Sequence, residues 1–432
     1  MKNKIEGVKK DMKKFLMRYS PFLAKKLISI YHRYENLKHD LQVKINTFSH
    51  DYELPSPDEI YWIDPDRITY HTDYGSDKNM KDRVFDKVKD KGKVYDGDWD
   101  KTDFKFTDLD VYQGFEDRIK KNKPWDETEF FEISISRLEN EGVVWGCRNE
   151  KELREHFEYL DKLINNIREE GYFSQEEISD ELSFNKKEEV TVNIGRDGDF
   201  LFQDGRHRLS IAKILGIEKI PVQILVRHER WVKFRENVIE LAENEGGLEQ
   251  PLLHPDLNDI PAKKECEERF DAIRKDLEIE EGMVLDLGTN LGYFCHKFED
   301  IGFDCIGLEE DIKKHEIAEK VKIAEGKNFE LIYGDILEED AINKIKNNHF
   351  EVVLALDRFN HFLENEESYK KIKNLLKQLN MEVMYLGETK LEEGYKNHSE
   401  QELVDFILSE TRLNHKEEIY KDKDGKRIFR LY

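Results

Sequence analysis

The sequence is poor in cysteine and in long apolar runs, and its basic residues are outnumbered by acidic ones; each of these features excludes a class of protein. Its four cysteines are scattered without a C-x-x-C pair, a pattern that favours reduced thiols in a cytoplasmic protein. Acidic residues outnumber lysine and arginine by 94 to 70, which gives a net charge of −24. Broad nucleic-acid binding needs a basic surface and is therefore not expected. We find no secretory signal and no apolar run long enough to span a bilayer.

The chain nevertheless has the material for folded domains. Aromatic residues make up 11% of its 432 residues, so global disorder is rejected and a multidomain protein is expected. We expect four regions along the sequence. They are a basic helical segment (1–50), an α+β domain (51–235), a connector (236–275) and an α/β domain (276–432).

The first forty residues differ in charge from the rest of the chain. They carry eleven basic and four acidic residues, a net charge of +7. After Ser20-Pro21, which is typical of a helix start, Leu23, Leu27, Ile30 and Tyr34 fall on one helical face. Basic residues beside such a stripe suit peripheral contact with an anionic membrane. The alternative is that the segment docks on the acidic remainder of the chain or packs with a partner helix, because most such stripes belong to a core.

Residues 51–130 show no clear periodicity, and we expect them to be irregular. Asp96, Asp98 and Asp100 alternate with Gly97 and Trp99. The distal glutamate of a calcium loop does not follow in register, so an acidic turn between strands is expected and no metal site is predicted.

Regular structure is predicted from residue 150 onward. Apolar residues at spacings of three and four predict a helix over 150–170, closed by Gly171. Strands are predicted at 190–194, 200–202 and 220–226, and a helix ending at Gly216 separates the last two. The second strand runs into Asp204-Gly205-Arg206-His207-Arg208 at the start of that helix.

This Asp-Gly-x-His-Arg sequence resembles the ParB/sulfiredoxin-like nucleotide-binding fold over about 185–227. The resemblance implies that a phosphate compound, such as a nucleotide with Mg, binds near Asp204, Gly205, Arg206, His207 and Arg208. A helix N-terminus and arginine side chains both suit phosphate oxygens. A structural alternative has Asp204 capping the helix while the arginines pair with the abundant acids.

The most informative stretch is the apolar run ending at Asp286, followed by a turn that contains Gly288, Asn290 and Gly292. A strand, a Gly-rich turn and a helix form a cradle for a nucleotide-like ligand. The dinucleotide fingerprint G-x-G-x-x-G is absent. Glu309 follows a second predicted strand, 23 residues after Asp286, where a carboxylate can accept hydrogen bonds from ribose hydroxyls.

Further strands are predicted after these two. They lie at 329–333, 350–356 and 381–386, and a hairpin around Gly425 joins strands near 418–420 and 427–431. Over 276–432 the order Asp-x-Gly-x-Asn-x-Gly resembles the first motif of Rossmann-like S-adenosylmethionine (SAM) methyltransferases, with Asn290 in place of the middle glycine. The resemblance implies an α/β fold with a mostly parallel sheet that ends in an antiparallel hairpin.

The same resemblance implies roles for individual residues. Asp286 would orient the turn and the methionine amino group, Glu309 would bind the ribose, and Asp335 would face the adenine. Asp357 and His361 follow the fourth strand, where the methyl acceptor would lie. Imidazole titrates near neutrality, so His361 is the candidate base, although a packing role is an open alternative.

Three functions are compatible with the sequence. The first is SAM-dependent methylation of a small-molecule, glycan or lipid-linked acceptor. The second is a ParB-like phosphotransferase or nucleotide hydrolase, in which the methyltransferase-like domain acts as a SAM sensor or scaffold. A non-enzymatic nucleotide-gated binding module is a third possibility.

Overall fold

A computed structural model describes Leu41 and residues 54–72, 85–174, 189–356, 366–387, 400–423 and 425–432. The basic segment 1–40 and the candidate catalytic residues Asp357 and His361 lie outside the described residues. The chain divides into two compact units. The first includes the described residues up to Ile194 together with Phe200–Glu229, and the second comprises Gly195–Asp199 and Arg230–Tyr432.

The first unit contains a small mixed sheet. Its strands are β1 (Tyr61–Ile63), β2 (Lys93–Tyr95), β3 (Val190–Ile194), β4 (Phe200–Asp204) and β5 (Ile220–His228). β5 is central, because it pairs antiparallel with β1 and parallel with β2 and β3. β3 and β4 form an antiparallel hairpin, as the alternation of apolar and polar residues predicts.

Four helices accompany this sheet within the described residues of the unit. They are α1 (Asp110–Lys120), α2 (Glu129–Glu141), α3 (Glu150–Glu170) and α4 (Arg206–Leu215). The helix predicted over 150–170 is confirmed: the Asn149 side chain caps its start, and the chain leaves it at Gly171. The expectation of irregular structure throughout 51–130 was wrong. α1 lies within that stretch, and it buries only Val111, Gly114 and Phe115, too few positions for a clear helical period.

The second unit is built on a seven-stranded sheet. Its strands are β6 (Met283–Leu287), β7 (Asp304–Glu309), β8 (Glu330–Tyr333), β9 (His349–Ala355), β10 (Asn380–Gly387), β11 (Lys416–Lys421) and β12 (Arg427–Leu431). They lie in the order β11-β12-β10-β9-β6-β7-β8. The pairs among β6 to β10 are parallel, whereas β12 runs antiparallel to both β10 and β11.

This topology confirms the predicted α/β class. The chain starts in the middle of the sheet at β6, runs outward to β8, returns to β9 and continues to the opposite edge. Reversal of direction at β6 makes a topological switch point, and ligands of open α/β sheets bind beside it at the carboxyl ends of the strands. The predicted hairpin closes the sheet, with β12 inserted between β10 and β11.

Helices cover both faces of the second sheet. The helices of this unit are α5 (Glu229–Glu245), α6 (Cys266–Asp276), α7 (Tyr293–Asp300), α8 (Ile312–Ala324), α9 (Glu339–Ile345), α10 (Glu366–Gln378) and α11 (Glu400–Glu410). Successive strand residues point to opposite faces. Val352 and Leu354 accordingly pack with residues of α6 and α7, while Val353 and Ala355 pack with residues of α9, α10 and α11.

The stretch 236–275, which we expected to act as a connector, contains most of α5 and α6. Between these helices, Leu248, Gln250, Leu252, His254 and Asp256 are all buried. This part of the chain therefore contributes to the interior of the second unit.

Candidate functional site

The candidate site lies at the carboxyl end of β6, in the centre of the second sheet. Asp286 is 3% exposed and lies between Gly307 of β7 and Leu354 of β9. The turn that follows has left-handed backbone at Gly288 (φ 79°), Asn290 (φ 58°) and Gly292 (φ 81°). Asparagine tolerates this conformation better than most side chains, which explains how it replaces the middle glycine of the motif.

Glu309 ties this turn to the end of β7. The residue is 1% exposed, and its Oε2 accepts a hydrogen bond of 2.9 Å from the Asn290 backbone N–H. Its Oε1 accepts a 2.8 Å bond from the N–H of Asp311. A carboxylate offers about four lone-pair positions, so each oxygen keeps capacity for a ligand hydroxyl.

The turn after β6 packs closely against β7 at Gly307, a residue that was not predicted to belong to the site. A Cβ on Gly307 would lie 2.8 Å from Cγ2 of Thr289 and 3.0 Å from Cδ2 of Leu331. The Thr289 N–H also donates to the carbonyl of Leu308 at 2.8 Å. A glycine inside a strand often marks a place where another part of the chain packs closely. Gly307 within β7 is therefore the sequence feature from which this contact could have been predicted.

The start of α7 has a partner from the stretch between α5 and α6. The buried Gln250 side chain accepts a hydrogen bond of 3.3 Å from the Tyr293 N–H through Oε1. The first backbone N–H groups of a helix have no partner within it, so Gln250 satisfies one of them beside the turn. Nothing in the sequence around Gln250 identified this role.

Asp335 lies in the turn after β8, at the same edge of the sheet. Its Oδ1 accepts a 2.8 Å hydrogen bond from the Leu337 N–H. The preceding Gly334 donates its N–H to the Glu309 carbonyl at 3.0 Å. The structure therefore brings the predicted ribose and adenine acids onto adjacent strand ends.

The carboxyl end of β9 is closely packed. A Cβ on Gly387 would lie 2.0 Å from the carbonyl oxygen of Leu356. That oxygen accepts a 2.9 Å hydrogen bond from Nη2 of Arg269. The chain reaches Asp357 directly after this contact, so the described residues stop where the predicted acceptor site begins.

Two cysteines pack beneath the turn. Cys295 and Cys305 are free and buried, with their Sγ atoms 2.7 Å apart, and Cys295 Sγ lies 3.5 Å from Thr289 Oγ1. Burial, followed by the hydrogen bond with Cys295, raises the pKa of the Cys305 thiol well above its usual range. The protonated thiol packs as a small apolar side chain.

The second predicted site lies in the first unit, where α4 begins. Gly205 adopts φ 98°, and a Cβ there would lie 3.0 Å from the Val190 Cα atom, so glycine is required. The charges around it are largely compensated. Asp204 forms an ion pair with Lys87, and Arg208 Nη1 lies 3.1 Å from Oε2 of the buried Glu189.

His207 lies in an aromatic cluster. Its ring centroid is 5.3 Å from Trp145, 5.7 Å from His156 and 5.7 Å from Phe115. Burial, with a smaller contribution from the Arg206 charge, lowers the pKa of His207 to about 3. The imidazole is therefore neutral near pH 7 and offers no positive charge to a phosphate.

Trp145 has an unusual backbone conformation in this cluster. Its φ is 47°, and it precedes Gly146 in a tight turn closed by two hydrogen bonds between Val144 and Cys147. Left-handed backbone is rare for a bulky residue. The turn places the indole 5.2 Å from the ring of His156.

Across the described ranges, no group of three or more histidine, cysteine, aspartate or glutamate side chains is arranged to hold a metal ion. Asp96 and Asp100 lie 4.0 Å and 3.9 Å from Nε2 of His228. In the same part of the chain, no helix combines the length and the apolar character needed to cross a membrane.

Comparisons with known proteins give only distant similarities. No protein-family model and no curated protein matches the chain. It is similar to the bifunctional kinase-methyltransferase WbdD, with 18% identity over 45% of this chain and 45% of that chain, at a TM-score of 0.37. It is also similar to SAM-bound magnesium protoporphyrin IX methyltransferase (ChlM) from Synechocystis PCC 6803, with 16% identity over 38% and 76% of the two chains, at a TM-score of 0.30.

The chain thus spans less than half the length of the WbdD chain that it matches. At these identities and scores the fold assignment rests on the strand order of the second unit. Its Rossmann-like α/β sheet carries the predicted acids on adjacent strand ends.

Proposed function

We propose that the second unit is a SAM-dependent methyltransferase domain. The observation that carries the proposal is the buried carboxylate of Glu309, which lies at the end of β7 and accepts the N–H of Asn290 in the turn after β6. It lies on the strand next to the switch point at β6, beside which ligands of open α/β sheets bind. SAM would supply a methyl group activated by its sulfonium.

The described residues provide binding and orientation. Glu309 binds the ribose, Asp335 faces the adenine, and Asp286 orients the turn and the methionine amino group. Methyl transfer is a direct displacement, so holding two reactants in line supplies much of the rate acceleration. In this proposal Asp357 and His361 act on the acceptor, with His361 as the base.

We further propose that the acceptor is a small molecule, a glycan or a lipid-linked compound. The net charge of −24 supports this choice, because a polyanionic acceptor such as a nucleic acid would be repelled by the protein as a whole.

Binding of the demethylated product, S-adenosylhomocysteine (SAH), tests the methyltransferase proposal. Calorimetry on the full chain should detect one SAH site, and mass spectrometry of ligands retained through purification should find SAM or SAH. Incubation with SAM and candidate acceptor pools should release SAH. Absence of SAM and SAH binding would contradict the proposal.

A second proposal concerns the first unit, which we infer binds a phosphate compound, such as a nucleotide with Mg, at the start of α4. The left-handed Gly205 places the first-turn N–H groups of a ten-residue helix directly after β4, and such groups attract anions. His207 is neutral near pH 7, so the guanidinium groups of Arg206 and Arg208 are the positive charges of the motif that would face the phosphate.

A thermal-shift screen of nucleotides with and without magnesium tests this second proposal. Stabilisation of the wild type should be lost in Arg206→Ala. If no phosphate compound stabilises the wild type, the motif is structural. Nucleotide turnover without SAM binding would favour the phosphotransferase or hydrolase alternative.

A further inference from the structure

The side chain of Asn290 has an unused buried acceptor beside the proposed ribose site. The residue is 8% exposed, and among the described residues its Oδ1 has no hydrogen-bond partner. A buried acceptor without a partner costs free energy. A bound ligand with an O–H or N–H donor at this position would remove that cost.

The neighbouring hydrogen bonds indicate which ligand group is near. The backbone N–H of Asn290 donates to Glu309 Oε2 at 2.9 Å, so the asparagine lies directly against the carboxylate. Both oxygens of that carboxylate already accept backbone N–H groups. The two oxygens of Glu309 therefore have fewer lone pairs for a ligand than a free carboxylate has. With Oδ1 of Asn290 as a second acceptor nearby, the site suits a ligand with two adjacent hydroxyls.

We propose that Asn290 and Glu309 share the ribose diol of the cofactor, with one hydroxyl donating to Glu309 and the other to Oδ1 of Asn290. The inference rests on the proposed SAM-binding function. It makes Asn290 a determinant of selectivity for ribonucleosides over deoxyribonucleosides. The replacement of the middle glycine in the turn thereby adds a contact to the ligand.

Asn290→Gly isolates this contact. Glycine adopts φ 58° without strain, and the variant keeps the backbone N–H that donates to Glu309. It removes only the amide side chain, so the fold should persist, and an unchanged circular dichroism spectrum checks this point. Affinities are measured by calorimetry on full-length wild type and variant.

Four ligands distinguish the possible contacts: SAH, 5′-methylthioadenosine, and the 2′-deoxy and 3′-deoxy forms of SAH. We expect Asn290→Gly to weaken SAH and methylthioadenosine by the same factor, about three- to tenfold for one hydrogen bond. One of the two deoxy ligands lacks the hydroxyl assigned to Asn290. For that ligand, the affinity of the variant should equal the affinity of the wild type.

Three outcomes would overturn the inference. They are an unchanged affinity for SAH, a loss that persists with both deoxy ligands, and a loss with SAH but not with methylthioadenosine. The last would place the contact at the methionine end. If the wild type fails to bind SAH, the proposed function itself falls, whereas wild-type binding with an unaffected variant rejects only the role of Asn290.

Discussion

Glu309 combines two tasks in one side chain. Its carboxylate holds the turn through the Asn290 N–H and the start of α8 through the Asp311 N–H. In the proposed function it also binds the ribose. A residue that is 1% exposed and negatively charged is costly to bury, and its hydrogen bonds offset that cost.

We expect Glu309→Ala to weaken SAH binding by about 1–3 kcal/mol, because a buried ribose hydroxyl would lose its acceptor. Calorimetry measures the loss. Glu316→Ala is the matched control, since this glutamate is exposed on α8, and its affinity should equal that of the wild type. Unchanged SAH affinity in Glu309→Ala would refute the ribose role.

His207 predicts a pH dependence of stability for the first unit. Its pKa is about 3 in the folded protein, against an ordinary value of 6.5. Between these values the unfolded chain binds a proton that the folded protein does not. Stability should therefore fall as the pH drops from about 6.5 toward 3, by at most about 1.4 kcal/mol per pH unit from this residue.

Replacement of His207 by phenylalanine should flatten that dependence, because the aromatic cluster can hold a ring that never titrates. Urea unfolding of the full chain at several values between pH 4 and pH 7 provides the slopes. His156, whose pKa is also lowered by burial, keeps its smaller contribution in the variant. Equal slopes in the wild type and the variant would contradict the assignment.

At the scale of single residues, sequence reasoning located the acids but not their partners. Asp286 and Glu309 lie at the ends of apolar runs and Asp335 follows one, so their positions near strand ends were predictable. Gln250 contacts Tyr293 from 43 residues away, and no local pattern specifies such a contact. The burial of His207 was equally invisible, because it depends on rings from α1, α2 and α3.

The turn between β6 and α7 depends on how closely it approaches β7. Thr289 packs over Gly307, and its N–H bonds to Leu308. The position of the turn is therefore set by a neighbouring strand as well as by its own glycines. Displacement of the turn would move the Asn290 N–H away from Glu309.

Gly307→Ala should destabilise the protein by about 1–3 kcal/mol, because the new methyl group would overlap Cγ2 of Thr289. SAH affinity should fall as well. The double variant Gly307→Ala/Thr289→Ser removes that Cγ2 atom and should recover part of both losses, a coupling that a double-mutant cycle measures. Additive losses would show that the overlap with Thr289 is not the cause.

Among the secondary-structure elements, the positions of strands in the second sheet were predicted better than those of the helices. β6, β7, β9 and β10 are apolar runs between turn residues, and the structure extends or trims them by one residue at most ends. α1 was missed because its buried face is small. The burial of the stretch between α5 and α6 was missed because its prolines and glycines also suit a flexible linker.

The distribution of charge concerns the whole molecule. The first forty residues carry +7, against −31 in the remainder of a chain whose total is −24. We propose that this segment associates reversibly with an anionic surface, either a membrane or the acidic remainder of the protein. A cytoplasmic protein with peripheral membrane contact is the first of these alternatives.

Sedimentation with vesicles distinguishes the two surfaces. Membrane association should require anionic lipid, contribute about 1 kcal/mol per basic residue near the head groups and weaken as salt is added. Deletion of residues 1–40 should abolish it. Equal sedimentation of full-length and truncated chains, or none by either, would remove the membrane alternative; a lower thermal stability of the truncated chain would favour the intramolecular one.

The second unit is discontinuous in sequence, because it includes the five residues between β3 and β4. In that loop, Gly198 packs so closely on Trp231 that a side chain would not fit. The carbonyl of Gly198 accepts a hydrogen bond of 2.9 Å from Nε2 of His254, and Asp197 forms an ion pair with Lys320. A fragment that begins at residue 230 would lack these partners, and the buried His254 would lose the hydrogen bond from its Nε2 atom to Gly198. No single cut can therefore yield two intact halves, and the activities of the two units have to be separated by point substitutions within the whole chain.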